Sequence, residues 1–268
     1  MKISFSTLGC PEWSFEDIVV TAKDLGVDGI EIRGMENELY VPKAKPFVDE
    51  NLHKTIEKLQ QLSIEIPCLT SSCFLFDKQN QDYYLKEGKD YIDLASRIGT
   101  PFIRVLGDRS PEPKEEIDTA YVAENLWILA KYAETKNVKV LVETNGCFAN
   151  SDEMLKLLVK VDSPSVGVLW DIHHPYRFMN EPVEKTCNML KDYISFVHIK
   201  DSIIESNKLR YKMLGYGDIP VKEAISLLKN NGYKGYVSLE WVKRWCADLE
   251  EPGIVFSHYA THIRDLIG

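Results

Sequence analysis

Short apolar runs rich in β-branched residues recur along the whole chain, each followed by a longer amphipathic stretch. Such runs are typical of buried strands, whereas apolar positions spaced three and four residues apart are typical of helices. The pattern predicts eight strands. They are KISFST (2–7), DGIEIR (28–33), IEIPCLT (64–70), PFIRVL (101–106), VKVLVE (138–143), VGVLWD (166–171), SFVHIK (195–200) and GYVSLE (235–240).

Amphipathic segments with helix signals lie between the predicted strands. In the first, Ser14 is placed to cap the helix with Asp17 three residues on, and Gly26 is placed to close it. The same periodicity recurs in five later segments. These predicted helices cover residues 52–63, 83–99, 119–137, 151–162 and 221–232.

Strands that alternate with helices predict parallel pairing through right-handed crossovers. Eight such units in 268 residues favour a single-domain (β/α)8 TIM barrel that spans residues 1–268. A doubly wound open sheet is the alternative, but that class places a glycine-rich phosphate turn after its first strand. Here the first turn reads TLGCPEW, which is no phosphate cradle.

Charge and composition indicate which classes of molecule the protein binds. The formal net charge is −9, and an acidic protein lacks the basic face that holds a nucleic-acid backbone. The opening MKISFSTLGCPEW has no apolar run of signal-peptide length, and no segment reaches the roughly 18 apolar residues of a membrane span. The six cysteines include no CxxC pair and are expected to be reduced thiols. We therefore expect a cytoplasmic protein with a small-molecule substrate and no nucleic-acid or membrane partner.

Metal-ligand residue types end four consecutive predicted strands: Glu143, Asp171, His198 and Glu240. Any one of them has an ordinary explanation, because a strand-end carboxylate often caps the next helix and a lone histidine is often structural. In a TIM barrel, however, the strand ends converge, and three carboxylates placed together repel unless a cation compensates them. The donor set suits Mn²⁺, Mg²⁺, Co²⁺ or Zn²⁺. The pattern favours one divalent metal at this end of the barrel.

The same residues resemble the xylose isomerase-like barrels, in particular the sugar phosphate isomerase/epimerase group that includes D-tagatose 3-epimerase and D-psicose 3-epimerase. The resemblance runs from KISFST through LGVDGIEIR to VSLEW, and its specific part is the order Glu, Asp-x-x-His, His, Glu. It implies that Glu143, Asp171, His198 and Glu240 bind one divalent ion, with Mn²⁺ as the first choice. It also implies that Glu143 and Glu240 are the acid/base pair, which moves a proton next to a carbonyl through a metal-stabilised enediolate. The family favours a homodimer or homotetramer.

Three residues near these strand ends are candidates for substrate binding. His174 completes the family's Asp-x-x-His motif, in which the histidine holds a substrate oxygen; the alternative is an ordinary loop histidine. Lys200 lies two residues after His198 on the same strand face, where it either reaches the metal site or snorkels at the barrel rim. Ketose epimerases carry an arginine shortly after this histidine; here the sequence departs from that pattern, and Arg210, twelve residues past His198, is the nearest candidate for its role.

Two upstream residues are further candidates for the sugar pocket. Glu31 ends the second predicted strand, and Trp13 lies in the first strand-to-helix loop. Trp13 is equally consistent with core packing, because an aromatic ring has a large apolar area whether or not a ligand is near. For a phosphorylated substrate, the candidate anion-binding residues are Lys200, Arg210 and Arg104.

Three other functions stay open from the sequence. A dehydratase of the inosose or 3-dehydroshikimate type also removes a proton next to a carbonyl, and Lys200 would then assist the leaving hydroxyl. A non-catalytic sugar-binding barrel needs no carboxylates on both sides of one carbon, yet Glu143 and Glu240 are both present. An endonuclease IV-like nuclease needs extra histidines on the middle strands, whose ends read CLTSS and RVLGD. The sequence favours a metal-dependent sugar or sugar phosphate isomerase or epimerase.

Overall fold

Eight parallel strands alternate with helices in the computed structural model, which describes residues 1–268. The barrel strands are β1 (Lys2–Ser6), β2 (Gly29–Glu31), β3 (Cys68–Phe74), β4 (Phe102–Leu106), β5 (Lys139–Glu143), β6 (Val166–Asp171), β7 (Ile194–Ile199) and β10 (Tyr236–Leu239). An antiparallel hairpin of β8 (Asp201–Glu205) and β9 (Lys208–Lys212) forms a separate sheet. The order of the barrel strands is β2-β1-β10-β7-β6-β5-β4-β3. This nearly closed sheet confirms the predicted TIM barrel.

Nine α-helices connect the strands. They are α1 (Phe15–Asp24), α2 (Asp49–Leu62), α3 (Gln81–Ile98), α4 (Thr119–Glu134), α5 (Ser151–Val161), α6 (His173–Met179), α7 (Val183–Leu190), α8 (Val221–Asn230) and α9 (Pro252–Ile267). The predicted cap of α1 is present: Ser14 Oγ accepts the Asp17 N–H at 3.2 Å, and the Asp17 carboxylate accepts the Ser14 N–H at 3.1 Å. Gly26 follows with a φ of +62°, the left-handed conformation that ends a helix. None of the nine has the length and apolar character that crossing a membrane requires.

Two of the differences from the predicted elements have a clear physical reason. The third strand begins at Cys68 instead of residue 64, because Pro67 has no N–H to donate to a ladder. Residues 201–212, for which the apolar pattern predicts no strand, form the β8–β9 hairpin. Its turn residues Ser206 and Asn207 both have positive φ, the backbone shape that matches the twist of a tight hairpin.

The chain divides into two compact units: a terminal unit, Met1–Ile66 with Val197–Gly268, and a central unit, Pro67–Phe196. In the terminal unit, β1 pairs with β2 on one side and β10 on the other. Phe5 of β1 stacks on Phe256 of α9 with ring centroids 4.2 Å apart, a contact worth about 0.5–1.5 kcal/mol beyond area burial. In the central unit, β4 pairs with β3 and β5, and β5 pairs with β6.

The face of β1 opposite Phe5 is polar. Strand alternation places Ser4 and Ser6 there, and the register sets Ser4 beside Ser238 of β10, which in turn lies beside His198 of β7. All of these polar residues are fully buried. Branched aliphatic residues ordinarily fill the interior of a TIM barrel. Small hydroxyl side chains in their place leave room for longer polar side chains.

Candidate metal centre

A buried glutamate and a buried histidine of the terminal unit contact each other. Glu31 is the last residue of β2, and His198 lies in β7. His198 Nε2 and Glu31 Oε2 are 2.9 Å apart, and Ser238 Oγ donates to the same oxygen at 2.7 Å. The carboxylate therefore fixes one nitrogen of the imidazole and leaves Nδ1 on the opposite side of the ring.

The surroundings of Glu31 keep it ionised. Burial raises the pKa of Glu31, because a charged carboxylate loses its water. The His198 imidazole, together with hydrogen bonds from His198 and Ser238, acts in the opposite direction and outweighs burial. The pKa of Glu31 thus lies below its usual range, and the carboxylate is an acceptor for both donors at neutral pH.

Glu240 directly follows β10 and contacts two basic side chains. Its Oε1 lies 3.4 Å from His198 Nδ1, and its Oε2 accepts a hydrogen bond from Lys200 Nζ. The Lys200 side chain is 2% exposed and that of Glu240 is 8% exposed, so water is excluded from this pair. The sequence left two positions open for the Lys200 side chain, beside the metal site or exposed at the barrel rim. In the structure it is buried beside Glu240.

Glu143, at the end of β5, has two partners within the central unit. Arg104 Nε, from β4, lies 3.2 Å from Glu143 Oε2, and His174 Nδ1 lies 3.5 Å from Oε1. The same His174 nitrogen lies 3.0 Å from the carbonyl oxygen of Thr144. All of these side chains are buried. Because a guanidinium is always charged in proteins, Glu143 has a permanent counter-charge.

Backbone groups hold Asp171, the last residue of β6. Its Oδ1 accepts the N–H of His173 at 2.9 Å and that of His174 at 3.2 Å, both from the first turn of α6. These N–H groups have no partner inside the helix, so the strand-end aspartate satisfies them. Oδ2 lies 3.6 Å from His174 Nε2. Because the Asp-x-x-His motif spans about one helical turn, the histidine side chain lies next to the aspartate.

The four predicted ligands come together. Ligand atoms within 4.8 Å of one another belong to Glu143, Asp171, His198 and Glu240, all buried. A second group of the same kind consists of Asp171, His173 and His174. Carboxylates with imidazole suit a divalent ion of hard to intermediate character. The protein thus contains a candidate metal-binding cluster, and coordination by these side chains stays a prediction.

Two predicted substrate-binding residues contact side chains that do not belong to the candidate metal cluster. Arg210 is exposed on β9, and its Nε lies 4.0 Å from Glu205 Oε2 across the hairpin. Trp13 is half-buried, and its ring meets Phe256 edge-on at a centroid distance of 5.7 Å. The latter agrees with the packing alternative, and a sugar contact for either residue stays a prediction.

Sequence reasoning missed the residues that contact the candidate metal ligands. Arg104 had been considered only for a phosphate, although a charged residue inside the apolar strand FIRVL is itself a signal. Ser238 lies two residues before Glu240 and therefore on the same strand face. Glu31 was predicted to contact the sugar, whereas its contacts are to His198 and Ser238. A direct sugar contact for Glu31 stays a prediction.

Comparisons with known proteins agree with this architecture. A profile of the xylose isomerase-like TIM barrel family matches residues 19–257, which confirms the resemblance found in the sequence. The chain is also similar to the fructoselysine 3-epimerase of Shigella flexneri. The two are 26% identical over 281 residues, which cover 100% of this chain and 98% of that protein.

Three solved structures have the same fold at 19% identity. The probable 3-DHS dehydratase AsbF from Bacillus anthracis has a TM-score of 0.80 over 98% of this chain and 99% of its own. The IOLI protein, solved with a zinc atom, has a TM-score of 0.81 over 100% and 98%. D-Psicose 3-epimerase from Clostridium cellulolyticum H10, solved with D-tagatose, has a TM-score of 0.78 over 100% and 99%. At this identity the likeness establishes the fold alone.

Proposed function

We propose that this chain, which belongs to the xylose isomerase-like TIM barrel family, is a divalent-metal-dependent sugar epimerase or isomerase. The observation that carries the proposal is the grouping of two strand-end glutamates with an aspartate and a histidine. Similarity to a fructoselysine 3-epimerase along the whole chain supports the reaction class. The residues proposed to hold the ion are Glu143, Asp171, His198 and Glu240.

The charges of each unit support a divalent ion. In the terminal unit, contacts join two carboxylates, Glu31 and Glu240, with the cation Lys200 and the imidazole of His198. In the central unit, Glu143 faces the cation Arg104, and Asp171 has backbone and histidine partners. With the imidazoles neutral, as metal binding requires, each of these sets of contacts has one carboxylate more than it has cations. Two uncompensated negative charges are what a divalent cation would neutralise.

The proposed chemistry is proton transfer at a carbon next to a carbonyl. When bound, Mn²⁺ or another divalent ion would supply a Lewis acid that stabilises negative charge on the carbonyl oxygen. Glu143 and Glu240 would act as the acid/base pair, one removing the proton and the other returning one to the opposite face. Arg104 and Lys200 each hold one oxygen of their glutamate. The other oxygen of each glutamate, which faces His174 or His198, would be the one available to the ion or the substrate.

A ketose is the proposed substrate. In a ketose the carbonyl at carbon 2 acidifies the proton at carbon 3, which is the centre that a 3-epimerase inverts. The similarity to fructoselysine 3-epimerase therefore supports a ketose or a ketose derivative. The net charge of −9 favours a neutral or mildly charged sugar over one held mainly by phosphate.

Solvent exchange tests the proposal. The Mn²⁺-loaded protein would be incubated in D₂O with fructoselysine, D-psicose and D-tagatose, and deuterium incorporation would be followed by NMR. We expect deuterium at carbon 3 of an accepted ketose, together with the epimer. Exchange at carbon 1 would instead indicate an isomerase. No exchange in any ketose, despite bound metal, would overturn the proposal.

Substitution of the two glutamates tests their roles. Glu143→Gln and Glu240→Gln remove the proton-transferring oxygen and are each expected to slow exchange by about 10²- to 10⁴-fold. The matched control is Glu181→Gln, because Glu181 is also buried and accepts a hydrogen bond from Thr186 Oγ1 at 2.6 Å. Folded variants at positions 143 and 240 that exchange at the wild-type rate would exclude the two-carboxylate mechanism.

A dehydratase is the second candidate, and the buried Lys200 beside Glu240 is the observation that favours it. An ammonium group next to one carboxylate can donate a proton to a departing β-hydroxyl, a step that an epimerase does not need. The same NMR experiment, extended to 3-dehydroshikimate and an inosose, distinguishes the two. Loss of water from the substrate would select the dehydratase.

A further inference from the structure

Glu31 reaches a histidine that is distant both along the chain and across the sheet. The strand order β2-β1-β10-β7 places two strands between Glu31 and His198, yet their side chains are in hydrogen-bond contact at 2.9 Å. The serines of the intervening strands make this possible. Ser6 of β1 is level with Glu31, and Ser238 of β10 is level with His198, and neither is long enough to block the glutamate.

We propose that Glu31 is a positioning residue that holds the His198 imidazole with Nδ1 turned towards the metal. The inference rests on the metal site proposed above and adds a residue that does not itself bind the ion. Glu31 Oε2 accepts from His198 Nε2–H and from Ser238 Oγ–H. With the proton on Nε2, Nδ1 is the nitrogen whose lone pair would coordinate the ion. The Nδ1 atom faces Glu240 Oε1 at 3.4 Å, on the side of the other terminal-unit ligand.

The need for such a partner follows from the symmetry of imidazole. Both ring nitrogens can bind a metal, and rotation of the ring by 180° about its bond to Cβ changes which one is presented. A carboxylate that accepts from one nitrogen selects a single orientation and increases the basicity of the other. Glu31 is itself fixed, because Ser238 donates to the same oxygen and the side chain is fully buried. Ser238, Glu31 and His198 thus form a hydrogen-bonded chain, and His198 would in turn hold the ion.

Metal affinity is the first test, with Mn²⁺ as the probe. Apo protein prepared with a chelator would be titrated with Mn²⁺, and free Mn²⁺ would be counted by EPR. Loss of the carboxylate partner of a histidine ligand weakens metal binding by about 10- to 100-fold. For Glu31→Gln, whose amide oxygen still accepts a hydrogen bond, we expect Mn²⁺ affinity to fall by about 10-fold. For Glu31→Ala we expect it to fall by about 100-fold. Glu181→Gln is the matched control, with wild-type affinity expected.

The protonated nitrogen of His198 is the second test and needs no metal. Long-range ¹H–¹⁵N NMR of the ¹⁵N-histidine-labelled apo protein distinguishes Nε2–H from Nδ1–H, and His198→Gln identifies the resonance. We expect the Nε2–H form in the wild type and a mixture of forms in Glu31→Ala. A merely structural role for Glu31 would lower the melting temperature without changing this ratio.

The outcomes separate the two proposals. Wild-type protein that binds Mn²⁺ while the Glu31 variants bind it equally well would overturn the positioning role and leave the proposed function intact. Nδ1–H in the wild type would overturn it as well. Wild-type protein that binds neither Mn²⁺ nor Zn²⁺ would overturn the metal dependence of the proposed function and, with it, the inference.

Discussion

Replacement of Lys200 by methionine isolates the buried ion pair with Glu240. The substitution keeps the length of the aliphatic chain and removes the ammonium that donates to Glu240 Oε2. Exposed ion pairs contribute about 0–1 kcal/mol, but the Lys200 and Glu240 side chains are only 2% and 8% exposed. The range for a buried pair that loses one partner therefore applies, about 3–5 kcal/mol. For a chain of this size that corresponds to a fall in melting temperature of about 10 °C.

Denaturant unfolding of the metal-free protein, followed by circular dichroism, is the assay. Lys200→Met is expected to lower the free energy of unfolding by most of this amount. The double variant Lys200→Met with Glu240→Gln is expected to recover much of the loss, because no unpaired charge is then buried. Mn²⁺ should also restore stability to Lys200→Met if the ion takes over as the counter-charge of Glu240. A metal-free Lys200→Met protein that unfolds within about 0.5 kcal/mol of the wild type would refute the reasoning.

Three further predictions concern other contacts. Arg104→Met removes the buried partner of Glu143 and is expected to slow solvent exchange roughly 100-fold through misplacement of the carboxylate; an unchanged rate would contradict this. Ser14→Ala removes the cap of α1 and should cost about 1 kcal/mol, or about 2–4 °C in melting temperature, with no change in metal affinity. Burial raises the pKa of Glu65, but the hydrogen bond from Lys2 and other favourable contacts outweigh it, so the pKa is lowered. The stability advantage of wild type over Glu65→Gln should therefore be present at neutral pH and disappear as the pH falls below about 4, and an advantage that persists in acid would contradict the sign.

The fold and the positions of the four strand-end residues could be predicted from local patterns. Alternation of apolar runs with amphipathic stretches indicates parallel strands, and parallel strands in a barrel bring their carboxyl ends to one side. Glu143, Asp171 and His198 each fall at or near the end of such a run, as does Glu240 just after β10. This prediction required only the strand face on which a residue lies and its distance from the strand end, and both are local properties of a strand.

The partners of these residues could not be predicted in the same way, because each contact depends on the size of side chains elsewhere. Glu31 and His198 are 167 positions apart, and the strands between them carry serines on that face, which leave room for the contact. The position of Glu31 at the end of a predicted strand made it a candidate for the pocket, but that position contains no information on how far the carboxylate reaches across neighbouring strands. The β8–β9 hairpin was missed for a related reason, since its turn is Ser206-Asn207 and lacks the glycine that usually signals a tight hairpin.

A common arrangement emerges from the candidate ligands: each is held by a group that is not itself a proposed ligand. The pairs are Glu143 with Arg104, Asp171 with the backbone N–H groups of α6, His198 with Glu31, and Glu240 with Lys200. Each partner engages one atom of the ligand and so orients another. A site of this kind loses less conformational freedom when an ion or substrate binds, because the side chains are already ordered. Serines occupy this face of β1 and β10, so the buried carboxylates beside them need polar partners, and two of these partners are cations.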